Sequence, residues 1–142
     1  MKKVSMLLPF LVLLVGCSDN SIVTVYDKSI KNDKIDCLRL SITPMDENIS
    51  SYIKKYYHFS TISDLCPYSL NISYKSAIVC NSPYNASQKN LSSFPNSYLN
   101  MEIRKGMSLK YSYYIDLQHK PTADDVQKGW ERIVKDLDVK HK

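Results

Sequence analysis

The chain has 142 residues, 44% hydrophobic and 23% charged, with a formal net charge of +5. That length suits one globular domain and leaves little room for a second. Three glycines in all exclude collagen-like and glycine-linker chains, and aromatic and β-branched residues recurring along the whole length exclude wholesale disorder.

The first segment in chain order is a leader. Met1-Lys2-Lys3 is basic, Met6 to Val15 is almost wholly apolar, and polar Ser18-Asp19-Asn20 follows Gly16-Cys17. Residues 1–16 read as a removable signal peptide, because the apolar run is well short of the roughly 20 residues a helix needs to span a bilayer. Leu14-Val15-Gly16-Cys17 resembles the lipobox of bacterial lipoproteins. The resemblance implies cleavage between Gly16 and Cys17, diacylation of the Cys17 thiol and acylation of the new amine, with residues 17–21 as a lipidated tether. Buried acyl chains contribute about 0.8 kcal/mol per CH₂, so three chains anchor firmly where one binds only reversibly. Removing 16 of the 142 residues leaves 126, and the loss of Lys2 and Lys3 takes the charge from +5 to +3. In sorted lipoproteins an Asp directly after the lipidated Cys retains the protein at the inner membrane. Here Ser18 holds that place and Asp19 comes one later, so the expected address is the outer membrane, facing the periplasm, with the inner membrane as the alternative.

The periplasm is oxidising, and thiols there tend to become disulfides. With Cys17 committed to lipid, Cys37, Cys66 and Cys80 remain and allow at most one internal bridge. Cys66 and Cys80 close the shortest loop, and Cys37 with Cys80 competes. No C-x-x-C pair exists, and His58, His119 and His141 lack ligand spacing, so neither a metal nor another cofactor is expected.

From Ser21 onward the dominant period is two. Ile22 to Tyr26 reads as a strand, as does Ile35 to Ile42 with Leu38, Leu40 and Ile42 on one face. Asn32-Asp33 is a turn signal that would make the two runs a hairpin. Ile49 to Phe59 alternates less cleanly and admits a strand or a helix. Leu70, Ile72 and Tyr74 share a face opposite Asn71, Ser73 and Lys75, and Ala77 to Cys80 continues that strand. Asn81 to Asn96, with Pro83, Pro95 and clustered Asn, Ser and Lys, reads as a long surface loop. The cleanest alternation follows: Leu99, Met101 and Ile103, a turn at Lys105-Gly106, then Leu109, Tyr111, Tyr113, Ile115 and Leu117. This is a hairpin in which Gly106 supplies a positive φ.

After Pro121 the period changes. Thr122 can cap a helix, Asp124 and Asp125 favour its positive end, and Val126, Trp130, Ile133, Val134 and Leu137 form one apolar stripe. A helix over about residues 122–138 is expected to cover the sheet, with Trp130 in the core. The fold class is thus mainly β: an antiparallel β-sandwich-like domain over residues 22–142 with a C-terminal amphipathic α-helix. No oligomer is required, and a monomer is expected.

Enzymatic signatures are missing from the sequence, which has no G-x-S-x-G, no glycine-rich phosphate loop and no H-E-x-x-H. Asp124-Asp125 has a sufficient electrostatic role at a helix start, and His58, between Tyr57 and Phe59, reads as structural though able to titrate near neutrality. No enzyme activity and no catalytic residue are expected. Nucleic-acid binding would need a concentrated basic face, and the leader sends the chain away from cytoplasmic nucleic acid. The unusual feature is tyrosine, 11 residues against one Trp and three Phe. Tyrosine suits contact surfaces because it offers stiff apolar area and a hydroxyl. Alternation points Tyr111 and Tyr113 inward and Tyr114 outward beside Lys110, Ser112 and Asp116, while Tyr52, Tyr56 and Tyr57 cluster around Lys54 and Lys55.

The lipobox, a first strand Val23-Thr24-Val25, the run Asp36-Cys37-Leu38-Arg39-Leu40-Ser41-Ile42, the closing Ala77-Ile78-Val79-Cys80 and the hairpin from Ser97 to Leu117 together resemble a family of type VI secretion immunity periplasmic lipoproteins. The resemblance covers nearly all of the chain before Pro121. Cys66 and the helix from Thr122 to Leu137 depart from the family pattern. What the resemblance implies is a Cys37–Cys80 bridge and an immunity protein that binds a toxic effector from a neighbouring cell and acts by occlusion, without catalysis. Such binding uses aromatic anchors inside a polar rim. Tyr56, Tyr57, Tyr114 and the loop from Asn81 to Asn96 are the candidate partner contacts. Two other functions compete: an accessory lipoprotein of an envelope or secretion machine, and an inhibitor of a periplasmic hydrolase.

Overall fold

The computed structural model describes residues 20–62, 65–78 and 95–140. The leader, Cys17, Cys80 and positions 81–94 of the expected loop lie outside the described residues. The elements in order are β1 (Ser21–Val25), a 3-10 turn (Lys28–Lys31), β2 (Arg39–Thr43), α1 (Glu47–Ile53), β3 (Tyr68–Lys75), β4 (Ser97–Lys105), β5 (Ser108–Leu117) and α2 (Ala123–Asp136). The domain is mainly β with a C-terminal helix, as the period-two pattern predicts. Its strands form one five-stranded sheet in the order β1-β5-β4-β3-β2, in which β2 and β3 are parallel and the other pairs antiparallel.

Local patterning explains the centre of the sheet. Leu99, Met101 and Ile103 of β4 face the same side as Tyr111 and Tyr113 of β5, and all five are buried. Burying them on one face fixes the register, since a slip by one residue would turn every apolar side chain to water. Gly106 turns the hairpin at φ +57, and a register shift at Ile103/Arg104 marks a bulge just before it. Leu70, Ile72 and Tyr74 of β3 continue the buried face.

The expected hairpin between the first two runs does not form. β1 pairs with β5, Val23 opposite Tyr113, while β2 lies at the far edge against β3. Asn32-Asp33 ends the 3-10 turn instead, which Asp27 caps through the Ser29 amide at 2.9 Å. The segment between β1 and β2 therefore runs from one sheet edge to the other and buries Ile30, Ile35 and Leu38 on the way. Ile35 then meets Val139 in a parallel bridge, tying this crossing to the chain after α2.

The ambiguous stretch Ile49 to Phe59 is helical only in its first part, where α1 runs to Ile53, and continues as turn and irregular chain. Asp46 caps α1 by accepting from the Asn48 and Ile49 amides at 3.0 and 3.2 Å, and the buried residues Ile49, Ile53 and Tyr57 recur every fourth position. A helix there also meets a topological need, because parallel strands require a crossover of a dozen or more residues. α2 begins with a capping box: the Asp125 carboxylate accepts from the Thr122 amide at 2.8 Å, and the Thr122 hydroxyl accepts from the Asp125 amide. Its Val126, Trp130 and Ile133 are buried, and Trp130 packs edge-on against Tyr57 at 5.5 Å. α1 and α2 pack together over the apolar sheet face, so the second layer is helical where a sandwich would place a second sheet. No helix among the described residues is long and apolar enough to cross a membrane.

The disulfide joins Cys37 to Cys66, with Cα atoms 5.7 Å apart. It replaces both pairings with Cys80. The reason is topological: Cys37 lies just before β2 and Cys66 just before β3, and parallel neighbours start at the same end of a sheet.

Candidate partner-binding site

The structure separates the three nominated tyrosines. Tyr57 is 4% exposed and packs on Phe59 and Trp130, inside the core. Tyr56 is exposed beyond α1, its hydroxyl donating to Tyr52 Oη at 3.0 Å, and Tyr52 in turn donates to Gln127 Oε1 of α2 at 2.6 Å. With Trp130, Glu131, Val134 and Lys135 it borders a shallow hollow of about 280 Å³. Tyr114 lies on the opposite, uncovered face of the sheet. The loop positions 81–94 fall outside the described residues.

The uncovered face is built by the other half of the alternation. One row across the sheet is Ile22, Tyr114, Asn100, Ser73 and Thr43. Tyr98 stacks on Tyr114 with centroids 5.7 Å apart and planes 24° from parallel. The Tyr114 hydroxyl donates to Asp116 Oδ1 at 2.7 Å, and that bond to a carboxylate, with burial second, pushes the phenol up to about 12. At the centre of this face Glu102 accepts from Arg104 Nε at 2.8 Å and from Asn100 Nδ2 at 3.0 Å. The face offers two stacked rings and polar groups, with the Arg104 guanidinium engaged by Glu102.

The β2 edge differs. A cleft of about 600 Å³ runs between the outer edge of β2 and the chain around α1. β2 has a neighbour only at β3, since the chain leaves β2 for a helix and no described strand lies beyond it. Ser60 donates its amide to the Leu38 carbonyl at 2.8 Å and closes the upstream end of that edge. Arg39 lines the cleft, and its Nε is buried with no hydrogen-bond partner among the described residues. Lys54, at the C-cap of α1, lines the opposite wall. The Asp46 carboxylate in the cleft is already committed: it caps α1, accepts from Tyr74 Oη at 3.0 Å and lies 3.7 Å from Lys120 Nζ. These bonds, the Ile49 amide first, hold its carboxyl below the usual carboxylate range. Met45 at the rim is 89% exposed.

Sequence reasoning passed over Arg39, Lys54 and Tyr98. Arg39 was visible only as a polar position between Leu38 and Leu40, and nothing local says that its strand ends the sheet. Tyr98 meets Tyr114 only through the β4–β5 register, which pairs Asn100 with Tyr114. The hydroxyls of Ser41, Ser50, Ser60, Thr61 and Ser69 around the cleft are groups able to hydrogen-bond a polar ligand, and a guanidinium whose Nε has no acceptor among the described residues favours an anionic group there. No protein-family model, no curated protein and no solved structure matches this chain.

Proposed function

We propose that the protein is a periplasm-facing, lipid-anchored immunity protein that binds a toxic effector and occludes it. The observation carrying this reading is the sheet: among the described residues one face has no cover and the outer side of β2 has no strand, on a domain tied by a disulfide. A rigid surface of that kind suits tight protein binding, because little order is lost on association. The Leu14-Val15-Gly16-Cys17 motif supports the anchor, and the Cys37–Cys66 bridge supports an oxidising compartment. Tyr98 and Tyr114 supply aromatic area beside polar groups, the composition in which binding hot spots concentrate.

The test is capture by the full-chain lipoprotein, in detergent, of periplasmic and secreted protein from the same strain. Each stoichiometric partner is then expressed in the periplasm with and without the protein. A partner that arrests growth alone and is tolerated in its presence supports immunity. An envelope-machine subunit as partner, or a partner without toxicity, overturns it in favour of the accessory reading.

A further inference from the structure

We propose that the free edge of β2 takes up an extended segment of the protein partner as an added strand, and that a carboxylate of that segment pairs with Arg39. The inference rests on the binding function proposed above and names the surface and the chemistry it uses.

Three observations converge on this edge. First, β2 pairs through one side only, and among the described residues its outer side meets only the Ser60 amide at Leu38, one residue upstream. An edge in this state presents a row of backbone donors and acceptors, which is the template that strand addition uses. Second, the edge lies along a cleft of about 600 Å³, so an added strand would have a wall behind it. The half-buried Leu40 and Ile42 alternate with Arg39, Ser41 and Thr43 and would give such a strand one apolar and one polar side. Third, the charge is unbalanced. Arg104 is paired with Glu102 and Lys110 with Asp27, whereas the Arg39 Nε is buried without an acceptor and Lys54 makes no ion pair among the described residues. The carboxylate already in the cleft, Asp46, is occupied by the α1 cap, Tyr74 and Lys120. A buried donor without an acceptor raises the free energy of the unbound protein, and an incoming carboxylate recovers it with the two-pronged geometry a guanidinium favours. The β1 edge has exposed Ile22 and Tyr26 but, among the described residues, no comparable cation, since Lys110 beside it is held by Asp27 at 2.6 Å.

The probe is a short synthetic peptide alternating valine with glutamate, compared with the same peptide carrying lysine for glutamate. Both are titrated against the full-chain protein in detergent, with amide hydrogen exchange read over residues 39–43. The glutamate peptide is expected to bind and to slow exchange there, and the lysine peptide to bind at least tenfold more weakly. Arg39→Gln should cost the glutamate peptide about tenfold or more in affinity, the scale of a hydrogen bond to a charged group. Lys54→Gln, an exposed change that leaves the core untouched, should weaken binding by a few-fold and reduce its salt dependence. Equal binding of both peptides, unchanged exchange over 39–43, or protection there only through self-association at high concentration overturns the inference. A toxic partner that is neutralised equally by the wild type and Arg39→Gln refutes the β2 site and leaves immunity standing. Charge-selective peptide binding at β2 without any toxic partner refutes immunity and leaves the site.

Discussion

Replacing Gly129 by alanine sets two effects of known size against each other. In an exposed helix interior the change would stabilise by about 1 kcal/mol, because alanine has the higher helix propensity. Gly129 is instead buried where α2 crosses β4 and β5. A Cβ added there would overlap the Met101 sulfur and lie 2.9 Å from Tyr113 Cε1. Met101 is 0% exposed and Tyr113 1%, so neither ring nor thioether can move out into solvent. Forcing an extra methyl into such packing costs about 1–3 kcal/mol. The net expectation is a loss of about 1 kcal/mol, or roughly 4 °C in Tm for a domain of this size. Thermal and urea unfolding followed by circular dichroism measure it. Met101→Ala removes the sulfur, so the penalty for Gly129→Ala should shrink in that background, giving a coupling energy in the double-mutant cycle. A higher Tm for the single variant, or strictly additive effects, would refute the close approach of α2 to the sheet.

Three further outcomes are expected. Reducing the Cys37–Cys66 bridge, which spans a sequence separation of 29, should cost about 3.5 kcal/mol by loop-closure entropy, measured as the urea midpoint with and without dithiothreitol; Cys80→Ser should leave that midpoint sensitive to reductant. Asp46 has its carboxyl lowered in the fold, so the stability it contributes is complete above the ordinary carboxylate pKa and is lost as pH falls through the lowered value; Asp46→Asn should flatten the acid limb of the stability–pH curve. Tyr114 has its phenol raised from 10.0 to about 12, so its contribution is complete below the unfolded value and lost between those two points; Asp116→Asn should bring a tyrosine forward in the ultraviolet ionisation curve, and an unchanged curve would contradict the Tyr114–Asp116 bond.

Elements whose information lies within a few residues were legible from the chain. The β4–β5 hairpin follows from strict alternation around a glycine at positive φ, and α2 from Thr122, Asp125 and the stripe ending at Leu137. The inward Tyr111 and Tyr113 and the core position of Trp130 followed from the same periodicities. The helix at Asp46 carried a capping signal too, but Tyr56-Tyr57-His58-Phe59 downstream resembles a strand and masked the fourfold spacing of Ile49, Ile53 and Tyr57. Tyr57 looked like a surface anchor beside Lys54 and Lys55, yet that spacing places it against Trp130 of α2, an element seventy-odd residues on.

The pairing of distant segments was decided only by the tertiary structure. Val23 finds Tyr113 across the length of the domain, and β2 joins β3 in parallel through α1, because these arrangements cover every apolar face at once. That parallel pairing brings Cys37 to Cys66, leaves β2 at the edge of the described sheet and buries the Arg39 Nε with no acceptor among the described residues. Period, caps and turn residues are local properties of the chain, whereas strand order depends on how all the buried faces can be satisfied together, and no window of sequence contains that sum.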